Sequence, residues 1–520
     1  MPSLQTLPRS IVQKIVYYVT YSSRQIFSGT AIELNSRPEL LIPLLWVCRG
    51  FRDAVYSQYS AEYELRIGRM GEVSGEWSAW PPGLRKIVEP GFGLVSKLCV
   101  VVDVHSDFSG GALLDYVFPV AHSLTCVFTW SPGETVDMAG VFVERVKKMV
   151  PMVTEISVID PSNPGVLVAG HQFGYLVSRL YQLVRCVSFN AFAPHVSVAL
   201  QPDIRDLVHL NYRVKDGDIS NVLVVARQSA LTLKSLGIGA WDADIAGLVC
   251  DDGGYVEYPC LDTLDLDLQN SLPSPRLVTK GVLFPGLRRL SVCHDYPFAD
   301  DTLFRGNGMT LEFLRIMPGA GICNVIRNVF TSHANLECVK IEPMSDVPCH
   351  FESSAAYLQF ALDIAPGAVI RDMGDIPPGV FTPQLFAPYS CIRVLVLSAR
   401  LVLLDVVELI QALPRLSDLY TLSVGLGELS DRALDRVPAC MALFPSMEGF
   451  RCWHIQCWDV SMADVVGVLG VALVCPGFNH VAVAGSIHGR FMRMMEETIG
   501  MGGFKRYAPR LRRLLFNREF

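Results

Sequence analysis

Charge is the scarcest ingredient of this 520-residue chain: only 18% of its residues are charged, against 50% that are hydrophobic. Fifty-one acidic side chains against 44 basic ones leave a formal net charge of −7. Binding to a phosphate backbone by counterion release needs a basic surface, which excludes nucleic acid as an obligatory partner. So apolar a composition also excludes a disordered chain. Long hydrophobic runs are missing. The most apolar one, Val465 to Cys475, is far short of the roughly 20 residues that span a bilayer, and Pro476-Gly477 ends it. No membrane partner is expected.

Other signatures are absent. The opening residues lack the basic, apolar, small-residue order of a secretion signal, and no Asn-Xaa-Ser/Thr sequon occurs. The 15 cysteines form no regular framework and sit mostly at apolar positions such as Cys99, Cys126, Cys186 and Cys338. Free thiols scattered in this way suit a reducing compartment, the cytoplasm or the nucleus. There is no Gly-Xaa-Ser-Xaa-Gly elbow, no phosphate-binding Walker loop and no His-Glu-Xaa-Xaa-His. Gly237-Ile238-Gly239 reads as loop glycines without the third glycine of a dinucleotide fingerprint. The closest approach to a metal cluster is Cys452-Trp453-His454-Ile455-Gln456-Cys457. Its first cysteine is expected at an inward strand position, so core packing accounts for it. The expectation is a non-enzymatic protein with no cofactor and no metal.

What is present is a repeat. From about residue 95, an apolar residue, two variable ones, an apolar, a variable and an apolar residue recur. Clear copies start at Leu233, Leu261, Leu287, Leu311, Leu336, Ile392, Leu419, Phe478 and Leu511. Weaker copies start at Val95, Leu124, Val153, Val184, Ile204 and Met447, and a barely recognisable one at Ala365. Their mean spacing is about 28 residues, within the range of strand–helix repeats. Helical patterning fills the intervals, as in Ala139–Val150, Val222–Ser229, Val402–Leu413 and Ala463–Cys475. Proline then recurs two places before the motif, at Pro151, Pro202, Pro259, Pro285, Pro445, Pro476 and Pro509. It ends each helix and favours an extended return.

Two amphipathic helices stand before the repeats. After Leu7-Pro8, the residues Ile11, Ile15 and Val19 recur at four-residue spacing, the period of one helix face. Leu44, Val47, Cys48, Phe51 and Val55 mark the second helix on the same principle. Two helices this short cannot bury so much apolar surface against each other, so something else covers the remainder.

At these residues the sequence resembles the F-box family, with its Leu-Pro opening, aliphatic helix and Val-Cys helix followed closely by an aromatic. Thr20 to Leu40 separates the two helices where the family has a short connection. The alternative is a helical cap that seals the larger domain. The repeats resemble leucine-rich repeats, though the family's Asn or Cys eight places after the first leucine is replaced by Trp241, Gln269, Asp295, Gly319, Met344, Arg400 and Gly427. The expected fold is therefore α/β. A short all-α F-box-like domain (1–60) and a Gly-rich connector (61–94) precede a leucine-rich-repeat-like strand–helix solenoid with a curved parallel sheet (95–520).

These resemblances imply the substrate-receptor subunit of an SCF-type, cullin-RING ubiquitin ligase. Leu7, Pro8, Ile11, Ile15, Val19, Leu44, Val47, Cys48 and Phe51 would contact a Skp-type adaptor held on the cullin scaffold. The alternative is a protein-binding scaffold solenoid outside any ligase. Strand alternation puts the second, fourth and sixth residues after each unit's first apolar position on the open face. A protein substrate would then meet Asp265, Asp267, Arg289, Phe313, Arg315, Lys340, Glu342, Arg451, Trp453 and His480, where aromatics and arginines are the usual anchors. The basic run from Lys505 to Arg518 reads as a polar cap on the last repeat.

Overall fold

A computed structural model of the chain describes residues 61–68, 73–79, 95–103, 116–129, 139–160, 179–191, 204–214, 219–241, 246–251, 254–269, 283–294, 310–318, 336–341, 359, 362–364, 366–373, 383–425, 449–455, 461–475, 477–484, 488–500 and 515–519. The two F-box-like helices fall outside the described residues. The architecture is α/β with a mostly parallel sheet, and the chain divides into two compact units.

The first unit comprises Met1–Leu287 with Tyr296–Arg305. Its strands are β1 (Ala61–Ile67), β2 (Val73–Ala79), β3 (Val95–Asp103), β4 (Ser123–Thr129), β5 (Glu155–Asp160), β6 (Cys186–Ala191), β7 (His209–Val214) and β8 (Ser235–Trp241), then a two-strand pair β9 (Cys250–Asp251) and β10 (Gly254–Tyr255), and β11 (Thr263–Gln269). Helices α1 (Ala139–Met149), α2 (Ser220–Gln228) and α3 (Ala246–Val249) lie between them. Strand β1 pairs antiparallel with β2 and parallel with β3, and parallel pairing then runs β3-β4-β5-β6-β7-β8-β11.

The second unit comprises Arg288–Asp295 with Gly306–Phe520. It holds β12 (Arg289–His294), β13 (Phe313–Pro318), β14 (Cys338–Ile341), β15 (Ile370–Asp372), β16 (Val394–Val402), β17 (Asp418–Gly425), β18 (Cys452–Ile455), β19 (His480–Ala484) and β20 (Leu515–Glu519), all paired in parallel in that order. Its helices are α4 (Leu403–Ala412), α5 (Met462–Val474) and α6 (His488–Gly500). The most apolar run of the chain is α5, where Val465, Val466, Val468, Leu469, Val471 and Ala472 are buried. Ser461 caps it, accepting from the Asp464 amide while the Asp464 carboxylate accepts from the Ser461 amide, a reciprocal box that satisfies two orphan donors. Among the described residues no helix is long and apolar enough to cross a membrane.

Sequence and structure part company in the segment expected to be a Gly-rich connector. Tyr63, Leu65 and Ile67 are buried and alternate with Glu62, Glu64 and Arg66, a strand pattern by its period of two. Strands β1 and β2 therefore extend the sheet ahead of residue 95.

Repeat boundaries move as well. Leu124, Leu210, Leu419 and Trp453 occupy the fourth place of their units, so these begin at Ala121, Leu207, Leu416 and Phe450, three residues from the expected starts. The apolar motif overlaps itself at an offset of three, and an odd slip exchanges the two faces of a strand. Asp206, in the left-handed conformation (φ 57), turns the chain between Ile204 and Leu207. The faintest unit starts at Ala368 and places Arg371 inward, where its neighbours carry Val339 and Leu395. Arg371 is 0% exposed. It donates to the Ile364 carbonyl at 2.9 Å and lies over the Tyr389 ring. Burial pulls its pKa down to about 10.

With these starts the proline spacing changes: Pro202 and Pro445 stand five places before Leu207 and Phe450 rather than two, while three other prolines take up the expected place. Pro119, Pro366 and Pro414 stand two places before Ala121, Ala368 and Leu416, as Pro151, Pro259, Pro285 and Pro476 do before Val153, Leu261, Leu287 and Phe478. The side-chain ladder that the sequence lacks is replaced by a ladder of main chain. In most of the described repeats the carbonyl after the first inward residue accepts from the next repeat. Examples are Lys234 O from the Asp262 and Thr263 amides, Glu337 O from Val369 and Ile370, and Arg451 O from Asn479 and His480.

Candidate functional site

Inward positions are filled by the core, so chemistry available to a partner lies on the opposite face of the strands. In the first unit this face brings Asn211, Gly237 and Asp265 into one row across β7, β8 and β11, and Arg213, Gly239 and Asp267 into the next. One strand, β8, lies between Arg213 and the aspartates, two strand spacings or about 9–10 Å of sheet. The guanidinium crosses that gap, bonding Asp265 Oδ2 at 2.5 Å and standing 3.6 Å from Asp267 Oδ2. It can do so because β8 presents glycines there. A Cβ on Gly239 would lie 3.0 Å from Arg213 Cγ, and one on Gly237 would lie 2.5 Å from Asn211 Oδ1. The Gly-Ile-Gly stretch is therefore strand, not loop. Asn211 Oδ1 and Asp265 Oδ1 are buried acceptors flanking Gly237. Asp265 and Asp267 were legible as a pair, whereas Arg213 was missed. Its signal was an arginine one strand away from a glycine strand.

In the second unit Arg289 pairs in register with Phe313, and Ser291, Arg315, Lys340 and Asp372 form the next row. Lys340 Nζ stands 3.8 Å from Asp372 Oδ2. Arg289 is exposed, and Phe313, Arg315 and Lys340 are half-buried, so four of the expected residues share one surface. Glu342 lies outside the described residues. Two others are corrected. Trp453 faces inward, 0% exposed, with Nε1 donating to Thr421 Oγ1 at 2.9 Å. Arg451 precedes β18 at the main-chain ladder and is exposed there. Both follow from the three-residue slip at Met447. His480, half-buried on β19, does lie on the outer face.

The same correction turns Cys452 and His454 outward, contrary to the expectation of a core cysteine. Asp418 and Cys452 are register partners on β17 and β18, and Tyr420 and His454 are partners two residues on. Tyr420 stacks on His454 at 3.8 Å between ring centroids with an interplanar angle of 3°. Cys452 Sγ lies 2.9 Å from His454 Nε2, and Asp418 Oδ1 lies 3.8 Å from that nitrogen. Ser417 Oγ donates to the other carboxylate oxygen at 2.7 Å. Burial pushes the Asp418 carboxyl up. The imidazoles of His454 and His480 and the Ser417 hydroxyl outweigh it and hold the group below its ordinary value. Among the described residues, this is the one group whose Cys, His and carboxylate donors converge closely enough to hold a metal ion.

No protein-family model matches the chain, and no curated protein matches it.

Proposed function

We propose that the protein is the substrate-receptor subunit of an SCF-type ubiquitin ligase, binding a Skp-type adaptor through residues 1–60 and a protein substrate through a leucine-rich-repeat-like solenoid. The observation that carries this reading is the order Leu7-Pro8, Ile11-Ile15-Val19, Val47-Cys48 and Phe51 in front of a strand–helix repeat array. The parallel pairing of the repeats and their inward apolar ranks support the second half of it. Such a subunit performs no bond chemistry. It holds a substrate beside the conjugating enzyme and acts by effective concentration. The outer-face group Arg289, Phe313 and Arg315 supplies an aromatic anchor with two arginines beside it, suited to an acidic segment of a substrate, while Lys340 is paired with Asp372.

The test is co-purification of the full chain with a Skp-type adaptor. Wild type retains the adaptor. A Leu7→Ala, Pro8→Ala double variant weakens binding more than tenfold, since each buried aliphatic contributes about 1.5–3 kcal/mol. Failure of the wild type to bind, or indifference of the double variant, would favour the scaffold with a helical cap.

A further inference from the structure

Cys452, His454 and Asp418 admit two chemical interpretations: a nucleophile–base–carboxylate relay, or the donors of a metal. Which nitrogen faces which partner decides between them. In a relay the imidazole uses one nitrogen toward the thiol and the other toward the carboxylate. Here Nε2 alone faces both the Cys452 sulfur, at 2.9 Å, and Asp418 Oδ1, at 3.8 Å. One nitrogen cannot take a proton from the thiol while its N–H is held by the carboxylate. Access argues the same way, since Cys452 is 8% and His454 4% exposed. That leaves little of the thiol exposed to a substrate.

Three unlike donor atoms turned toward one point are what a metal requires. Around a tetrahedral ion with Zn–S near 2.3 Å and Zn–N and Zn–O near 2.0–2.1 Å, ligand atoms sit roughly 3.3–3.6 Å from one another. The two distances above bracket that range, so small side-chain rotations centre an ion among them. The supporting parts are present too. Tyr420 fixes the plane of the imidazole, and Ser417 occupies Oδ2 and leaves Oδ1 facing inward. Such outer contacts orient ligands and tune the ion. All three ligands stand on paired strands rather than loops, and β19 carries His480 as the register partner of Cys452 on the same face. A mixed sulfur, nitrogen and oxygen set is wrong for Mg²⁺ or Ca²⁺, which take oxygen alone. It suits a borderline-soft ion without geometric preference of its own.

We propose that Asp418, Cys452 and His454 form a zinc site that ties β17 to β18 on the outer face of the sheet. The full chain, purified without chelators, carries about one zinc per molecule by elemental analysis. Cys452→Ser and Asp418→Ala fall to background, whereas Cys260→Ser, which alters an exposed cysteine, keeps the metal. Cobalt added to metal-stripped, reduced protein gives a thiolate-to-metal charge-transfer band that Cys452→Ser lacks, with circular dichroism reporting that the variant is folded. The cobalt experiment on wild type needs no variant to fold. The proposal is overturned by less than about a tenth of an equivalent of zinc together with no thiolate band, or by a Cys452→Ser protein that retains wild-type zinc.

Discussion

Trp453 gives the sharpest test of the register. Its indole is 0% exposed, in register with Leu419 on one side and Val481 on the other, and its N–H donates to a Thr421 hydroxyl that is itself 0% exposed. Removing the ring by Trp453→Ala leaves a cavity in a packed row and is expected to destabilise β17–β19 by about 3–5 kcal/mol. Trp453→Phe keeps most of the apolar contact but strands the Thr421 hydroxyl, at about 1–3 kcal/mol. Thr421→Val strands the indole N–H to a similar degree. The double variant Trp453→Phe, Thr421→Val deprives neither partner, so it falls short of the sum of the singles by about 1 kcal/mol or more. Two units make one global unfolding free energy ill-defined. The measurement is therefore amide hydrogen exchange of β17, β18 and β19, which reports local opening. Trp453→Ala with protection unchanged to within about 0.5 kcal/mol, as for a surface residue, would refute the inward placement and with it the shifted start at Phe450.

Two further outcomes follow from the buried thiols and the charged face. Burial pushes Cys99 up to about 11 and Cys338 up to about 12. An acid whose folded value is raised stabilises the fold below its unfolded value, near 8.5, and that stability is lost as pH climbs from there toward the folded values. Native protein at pH 8.5 should alkylate at exposed Cys260 long before Cys99 or Cys338, as peptide mass mapping would report, and equal rates would refute it. Arg213→Ala leaves Asp265 and Asp267 facing each other without their cation. Because all three are partly exposed, the loss is about 1 kcal/mol or less, read as faster exchange in β7, β8 and β11 that added salt diminishes. A salt-independent effect would mean the guanidinium matters for packing alone.

The repeat was legible wherever leucine occupied the first two inward places and an aliphatic residue the third, as in the units that start at Leu233, Leu261, Leu287 and Leu311. It slipped where Thr421, Tyr212 or Arg371 took one of them, because the apolar motif then fits as well three residues away. Pro119, Pro366 and Pro414 would have corrected three of the starts, since each stands two places before the true one. Glycines at 68, 71 and 75 masked β1 and β2, although Tyr63, Leu65 and Ile67 alternate like any strand. The aspartates of the outer face could be read from β11 alone. Arg213 and the convergence of Asp418 with Cys452 could not, because both depend on which strands become neighbours, and one odd slip had turned Cys452 to the wrong side. The two helices expected within residues 1–60 rest on sequence.

The main-chain ladder between units has an evolutionary consequence. Its acceptors belong to Ser96, His122, Arg185, Val208, Lys234, Arg288, Glu312, Glu337, Val369, Arg393, Ser417 and Arg451, residues with no side-chain property in common. Apart from Ser417, whose hydroxyl also holds Asp418, nothing at that joint is selected by side chain, so substitutions there accumulate freely and resemblance to other repeat proteins erodes while the joint persists. Only proline is barred, from the two donor places that follow each acceptor, because it has no amide hydrogen to give. Homologues should drift at the remaining positions through nearly every residue type and stop at proline.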